Sequence, residues 1–391
     1  MNKKIRIGIA GIGNMGSAHL ANILDGKIKN GVLGAVCDVD KEKLEKVKNR
    51  LPEDTALFDD TDEMIASGKI DAILIATPHY FHPTIAKKAF EAGLHVFCEK
   101  PAGVYTKNVR EMNEAAKKSG KVFQVNFVLR TLGAHIKIKE LIDSGELGEI
   151  KRFTWILTDW YRTQSYYNSG GWRATWAGEG GGTLLNQNPH QLDLMQWFFG
   201  MPERVRGFCY FGKNRDIEVE DEATAYFEYK NGAVGVYMTS VSEYPGTNRL
   251  EIAGDRGKLV YENSKITFFR TTVGEKEFNQ TTKTIAGPIP MWECDVKYKT
   301  ITVGDGQARM VDNWVETILG NETLIGPGED GINSLSISNA IYLSQWNDDW
   351  VNFPFDEDEF YEKLCERIKT SVYVKKEVVK TEGSFEDTFQ S

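Results

Sequence analysis

The chain has no run of Lys and Arg long enough to follow a phosphate backbone, and its 47 basic residues are outnumbered by 56 acidic ones, for a formal charge of -9. That balance argues against nucleic acid and anionic membrane surfaces as partners. The five cysteines, Cys37, Cys98, Cys209, Cys294 and Cys365, are scattered, odd in number and without C-x-x-C spacing. The pattern speaks against a disulfide framework and a zinc site, and a reducing cytoplasm suits it. No cluster has the spacing of metal ligands. Nowhere do about 18 consecutive apolar residues occur, so no transmembrane helix is expected. The basic start, Met1-Asn-Lys-Lys, precedes an apolar stretch, but Gly8, Gly11, Gly13 and Gly16 break it and no small-residue cleavage site follows. It reads as a first strand rather than a secretory signal. Internal repeats and low-complexity segments are also absent.

What is present is enough chain for two domains, each with its own core: 391 residues, 41% of them apolar. Strand-like runs at Ile5–Ala10, Val32–Val36, Ala72–Ala76, His95–Cys98 and Val122–Phe127 alternate with helical patterns at Ser17–Leu24, Lys41–Asn49, His82–Ala92 and Lys107–Ser119. Apolar strands interleaved with helices predict a parallel sheet covered on both faces, a doubly wound α/β domain over residues 1–128. From about Lys151 the texture becomes aromatic and alternating, at Phe153–Trp160, Arg204–Phe211, Ala223–Tyr229, Ala233–Ser240 and Arg249–Ala253. Turn signals at Asn231-Gly232 and Asp255-Arg256-Gly257 separate these runs. A second, α+β domain over residues 129–391 follows, built on one large, mostly antiparallel open sheet. Its exposed face is expected to be too aromatic for water, which points to self-association. Helices return at Val311–Leu319, Asn333–Trp346 and Phe355–Lys369, and the polar tail from Lys375 to Ser391 is expected to be loosely held.

Gly11-Ile-Gly13-Asn14-Met15-Gly16 is a G-x-G-x-x-G loop between a strand and a helix. The first Gly permits the tight turn, the second lets backbone amides approach a pyrophosphate, and the third allows close packing, while the helix N-terminus supplies positive potential. Asn14 and Met15 join the glycines in the cofactor set. Asp38, closing the second strand about 20 residues on, is the expected acceptor for an adenosine ribose hydroxyl, and its charge favours NAD over NADP, with Lys41 nearby to soften the preference. Glu99-Lys100-Pro101 follows a predicted strand, at the carboxyl end of the sheet where such sheets bind ligands. A partly desolvated lysine beside a cationic nicotinamide has a lowered pKa suited to proton exchange.

Gly180-Gly181-Gly182 leads through Asn186 to Asn188-Pro189-His190-Gln191, which looks like an N-cap, a first-turn proline and a capping-box partner. His190 and Asp193 then lie one turn apart, so the carboxylate can orient the imidazole. The aromatic residues Trp155, Trp160, Tyr161, Tyr166, Tyr167, Trp172 and Trp176 can stack on pyranose rings, and core packing or a subunit interface accounts for them equally well. His19, His79, His95 and His135 read as structural or surface residues.

With Thr77-Pro78 and His82 added, these motifs stand in an order that resembles the glucose-fructose oxidoreductase / inositol dehydrogenase / rhizopine-catabolism (Gfo/Idh/MocA) family over nearly the whole chain. The resemblance implies a Rossmann domain, a C-terminal domain with a large sheet, and dimers or tetramers formed through that sheet. It implies that Lys100 is the catalytic lysine, that His190 is the acid/base beside it, that Glu99 helps hold the cofactor ribose, and that Thr77, Pro78 and His82 belong to the cofactor site. Trp172-Arg173 matches a common Trp-Arg position, with Arg173 contacting substrate or cofactor. One departure stands out. Inositol dehydrogenase-like members carry an aspartate and a glycine where this chain has Asn186 and Asn188. An amide cannot take the substrate proton, so that duty falls to His190 or Lys100.

The expected reaction moves a hydride between a secondary hydroxyl of a sugar or glycoside and NAD. His190, assisted by Lys100, takes the proton, while Asn186 and Asp193 position the groups. A glucose-type pyranose oxidised at carbon 3 is the expected substrate. Three alternatives remain: a redox-neutral cycle on tightly bound NAD, a reductase working on keto sugars, and a catalytically silent nucleotide-binding regulator.

Overall fold

The computed structural model describes residues 4–375. Apart from Lys375 itself, the expected polar tail lies outside the described residues. In the N-terminal half the elements run β1 (Ile5–Ala10), α1 (Asn14–Leu24), β2 (Gly31–Cys37), α2 (Lys41–Lys48), β3 (Ala56–Phe58), α3 (Thr61–Ala66), β4 (Ala72–Ile75), α4 (Phe81–Glu91), β5 (His95–Cys98), α5 (Thr106–Ser119) and β6 (Phe123–Val125). The six strands form one parallel sheet in the order β3-β2-β1-β4-β5-β6. That order reverses between β1 and β4, which opens a crevice at their carboxyl ends. The central strands are buried on both faces, with Ile7, Ile9, Ile73, Leu74 and Ile75 completely covered, and this is why they read as unbroken apolar runs. Asp40 caps α2 by accepting from Glu42 N, and Gly120 ends α5 with a left-handed φ of 65°.

The short β3 and α3 have no counterpart among the expected elements, and α1 begins three residues before the expected start, inside the glycine loop at Asn14.

The C-terminal half contains α6 (Gly133–Asp143), β7 (Ile150–Leu157), α7 (Gln164–Asn168), α8 (Pro189–Phe199), β8 (Arg204–Phe211), β9 (Glu220–Glu228), β10 (Val234–Ser240), β11 (Asn248–Gly254), β12 (Gly257–Glu262), β13 (Lys265–Thr271), α9 (Glu275–Thr281), β14 (Met291–Val296), α10 (Val303–Ile318), α11 (Gly331–Asn347), β15 (Val351–Asn352) and α12 (Glu357–Thr370). Nine strands form one sheet, β14-β13-β12-β11-β7-β10-β9-β8-β15, antiparallel throughout except where β10 pairs parallel to β7. The Asn231-Gly232 turn closes the β9–β10 hairpin, with Gly232 at φ 83° and Asn231 Oδ1 accepting from Ala233 N at 3.1 Å. Helix α11 lies so close to β8 that a Cβ on Gly207 would fall 2.7 Å from the Ile341 carbonyl oxygen.

Helix α10 crosses back over the 128/129 division: it returns to the N-terminal sheet, where Trp314, Met310 and Val311 share a core with Ile7, Ile9 and Phe97. A chain can cross back whenever an apolar helix face finds an uncovered sheet, and no sequence spacing records that return. The open face of the large sheet is also more charged than its aromatic content suggested. Phe208, Tyr210 and Met238 are about 40 to 46% exposed on it, but ion pairs such as Arg152–Glu251, Arg249–Glu262 and Arg204–Glu228 line the same strands.

Candidate active site

The glycine loop leaves β1 with Gly11 at φ 94°, pressed against β4: a Cβ there would lie 2.7 Å from the Ala76 carbonyl oxygen. A Cβ on Gly16 would fall 1.8 Å from Gly11 O, so only glycine fits either position. Gly13 differs. A Cβ there would meet nothing within 4 Å, and no side chain caps the start of α1, so the loop faces open space with free backbone amides at Asn14 and Met15. A pyrophosphate suits such a cradle. The hydroxyl of Thr77 is buried without a protein partner, a second unsatisfied group on the cofactor side.

Asp38 sits at the end of β2 with both oxygens engaged: Oδ2 accepts from Ile12 N at 2.7 Å and Oδ1 from Asp40 N at 2.9 Å. The carboxylate is therefore held beside the glycine loop. The lysine near it is Lys43, at 3.4 Å, while Lys41 pairs instead with Asp59. These features fit NAD.

Three residues expected at the cofactor or in catalysis make contacts within the protein. His82 is buried, with one ring nitrogen 2.7 Å from Thr77 O and the other 2.8 Å from Pro101 O, so it staples the turn after β4 to the loop carrying Lys100. Glu99 is buried, its Oε1 shared by His19 Nε2 at 2.6 Å and Asn126 Nδ2 at 2.7 Å. Burial works against its charge, but His19, Asn126 and Lys100 outweigh burial and hold the carboxyl below its ordinary range. It ties α1 to β6 beneath the site. Asp193 lies one turn beyond His190 on α8 but is claimed by Arg130, whose Nε and Nη2 reach its two oxygens at 2.8 and 2.6 Å. His190 Nδ1 has no hydrogen-bond partner among the described residues. The expected His190–Asp193 dyad does not form. Asn188 also departs from expectation: α8 starts after it, yet its Oδ1 accepts from Thr183 and Thr239 hydroxyls rather than capping the helix.

The remaining candidates converge. Lys100 leaves the end of β5 and its Nζ donates to Asn186 O at 2.8 Å. Asn186 lies in a widened turn, Thr183–Gln187, of the π type often found at functional sites. Glu220 anchors that turn by accepting from Gly182 N at 2.9 Å, Leu184 N at 2.7 Å and the Tyr342 hydroxyl at 2.7 Å, and burial pushes its carboxyl up to about 7. Arg173 lies over the rings of Tyr166 and Trp172, at 4.4 and 4.5 Å, and donates to Tyr166 Oη at 2.7 Å. Tyr166 Oη also receives Asn186 Nδ2 at 3.3 Å, linking the aromatic wall to the turn. Lys375 reaches the carbonyls of Gly170 and Arg173 and so fastens the same loop.

Burial lowers Lys100 to about 8; Glu99 and Glu179 oppose that fall, and Arg173 and Arg162 add to it. Burial and the Lys100 charge lower His190 to about 3. Near neutral pH the imidazole is uncharged and a weak base, whereas the amine exchanges protons readily. Glu179 and Glu220 were not expected at the site, and the sequence signal for Glu179 is an acidic residue interrupting a glycine run.

Fold and site together define a dinucleotide-dependent oxidoreductase. Residues 5–127 match the model of the oxidoreductase family with an NAD-binding Rossmann fold, and residues 135–260 match the GFO/IDH/MocA C-terminal domain. The chain belongs to the Gfo/Idh/MocA family and is an NAD-dependent dehydrogenase. It is similar to myo-inositol 2-dehydrogenase of Thermotoga maritima, at 26% identity over 67% of this chain and 77% of that one. Levoglucosan dehydrogenase of Pseudarthrobacter phenanthrenivorans is 25% identical over 76% and 82%. Among solved structures, the WlbA dehydrogenase of Bordetella pertussis, in complex with NADH and UDP-GlcNAcA, superposes with a TM-score of 0.75 at 26% identity, covering 90% of this chain and all of that one. No helix of the described residues is long and apolar enough to cross a membrane.

Proposed function

We propose that the protein oxidises a secondary hydroxyl of a sugar or glycoside, at carbon 3 of a glucose-type pyranose, to the 3-oxo product. The observation that carries this reading is Lys100 Nζ held by Asn186 O at the carboxyl end of β5, beside a wall of Trp172, Arg173 and Tyr166. Relatives named for inositol and levoglucosan support a polyol or sugar as substrate. When bound, NAD supplies the acceptor for two electrons. Lys100, with its pKa near 8, takes the O–H proton as the carbinol C–H leaves as hydride and a carbonyl forms. His190 stays neutral and hydrogen-bonds the reacting oxygen, which reverses the division of labour expected from sequence. Asn186 orients the hydroxyl, and the aromatic wall packs on the ring. Carbon 3 lies away from the anomeric substituent of a pyranose, so oxidation there tolerates a bulky aglycone.

The test is incubation with NAD and a panel of monosaccharides, inositols and glucosides, following NADH absorbance and identifying products. A 3-oxo sugar or glycoside is expected. Lactones alone overturn the position, and activity confined to inositols or non-sugar alcohols overturns the substrate class.

The exposed aromatic residues Phe208 and Tyr210 on the open sheet face, flanked by ion pairs, support self-association of the chain into a dimer or tetramer through that face.

A further inference from the structure

Glu179 is completely buried in the glycine run between Arg173 and Asn186. Its Oε2 accepts from Ala174 N at 2.6 Å, its Oε1 accepts from the side-chain amide of Asn186, and Arg173 Nη1 lies 4.0 Å away. A carboxylate has acceptors only, so Asn186 must turn its NH2 group toward Glu179. That nitrogen is used a second time by Tyr166 Oη at 3.3 Å. Asn186 Oδ1 receives no donor from the described residues, and the backbone carbonyl of the same residue holds Lys100.

We propose that Glu179 is a positioning residue that sets the polarity of Asn186: it draws the amide NH2 inward and leaves Oδ1 to accept from a substrate hydroxyl beside Lys100. The site then selects a group that donates and rejects one that only accepts. The inference rests on Lys100 and Asn186 belonging to the substrate site. Burial raises the Glu179 carboxyl, while Arg173, Asn186, Ala174 N and Lys375 favour its charge. Those cations and Lys100 are the charges facing it, with Glu99, Arg162, His79, His82 and His190 completing the surroundings of the amine.

The geometry also explains an amide at position 186. Asn186→Asp would set two carboxyl groups against each other, with one forced to keep a proton. The exchanged pair, Glu179→Gln with Asn186→Asp, restores complementarity. The Gln oxygen accepts from Ala174 N, its NH2 donates to one oxygen of the new carboxylate, and the other oxygen of that carboxylate faces the substrate. Glu179→Gln alone keeps Ala174 N satisfied but turns a donor toward Asn186, so the amide flips and presents NH2 to the substrate.

The experiment is a double-mutant cycle on the full chain, read by melting temperature against pH, NADH binding by fluorescence, and KM and kcat for the best sugar of the panel. Glu179→Gln should raise KM roughly 10- to 100-fold, the cost of a mismatched buried hydrogen bond, with NADH binding and melting temperature nearly unchanged. Asn186→Asp should lose stability as pH rises from about 5 to 8, because the shared proton has a raised pKa in the folded state and its contribution disappears above it. The double variant should regain both the stability and most of the KM. Additive single effects, or an unchanged KM in Glu179→Gln, would overturn the proposal. If the wild-type protein turns over no sugar, the proposed function fails, while the pH-dependent stability cycle still decides whether Glu179 sets the polarity of residue 186.

Discussion

Arg130 and Asp193 form a buried ion pair with two parallel contacts, Nε to Oδ2 at 2.8 Å and Nη2 to Oδ1 at 2.6 Å, and each side chain is at most 3% exposed. Arg130 continues to Asp330 at 2.8 Å, so the pair joins the loop after β6, helix α8 and the start of α11. Its carboxylate is thereby unavailable to His190. Arg130→Met should strand Asp193 as a buried charge and destabilise the fold by about 3–5 kcal/mol, measured by chemical denaturation. Asp193→Asn should leave the pH profile of the folded enzyme in place; a displaced profile would return Asp193 to a role in orienting His190.

Lys100 and His190 are separable by pH. With Lys100 near 8, oxidation should rise as pH climbs through that value, because the free amine is the active form. Lys100→Met should lower turnover by roughly 10²-fold or more and remove that rise. The stability sign is the opposite of that for a salt-bridged lysine. A folded pKa below the unfolded one makes the protonated amine a burden that is relieved between about 8 and the model-peptide value of about 10.4. Lys100→Met should therefore not lower the melting temperature at pH 7. His190→Gln should reduce turnover without removing the rise near pH 8, and its loss in that variant would make His190 the base.

Asp38 presents a fixed carboxylate beside the glycine loop, held by Ile12 N and Asp40 N. A 2'-phosphate arriving there would meet like charge. Asp38→Asn retains an acceptor for one of the two amides and should erode the preference for NAD over NADP by roughly tenfold or more, about 1.4 kcal/mol, in kcat/KM. Equal use of the two cofactors by the unmodified enzyme would refute the assignment.

Phe208→Glu combined with Tyr210→Glu puts two charges on the open face of the large sheet, where both aromatic rings are well exposed. Sedimentation analysis should show a shift toward monomer with secondary structure intact. An unchanged sedimentation profile would place the contact elsewhere.

The sequence by itself determined the parallel sheet, the glycine loop, Asp38 at the end of β2 and Lys100 at the end of β5, because these depend on local signals: apolar runs, turn chemistry and short spacing. Those signals act within a few residues of where they are written. Only the tertiary structure decided who partners whom. Asp193 is one helical turn from His190, yet Arg130, 63 residues earlier, takes it. His82 looked available, but its two nitrogens lie 2.8 and 2.7 Å from the Pro101 and Thr77 carbonyl oxygens. Glu179 shows in sequence only as an acidic residue in a glycine run, and its meaning depends on Ala174 N and the Asn186 amide meeting it in the interior. Likewise α10 crosses back to the first sheet because burying Trp314 against Phe97, with ring centroids 5.5 Å apart, removes a large apolar surface from water, and that gain is independent of distance along the chain.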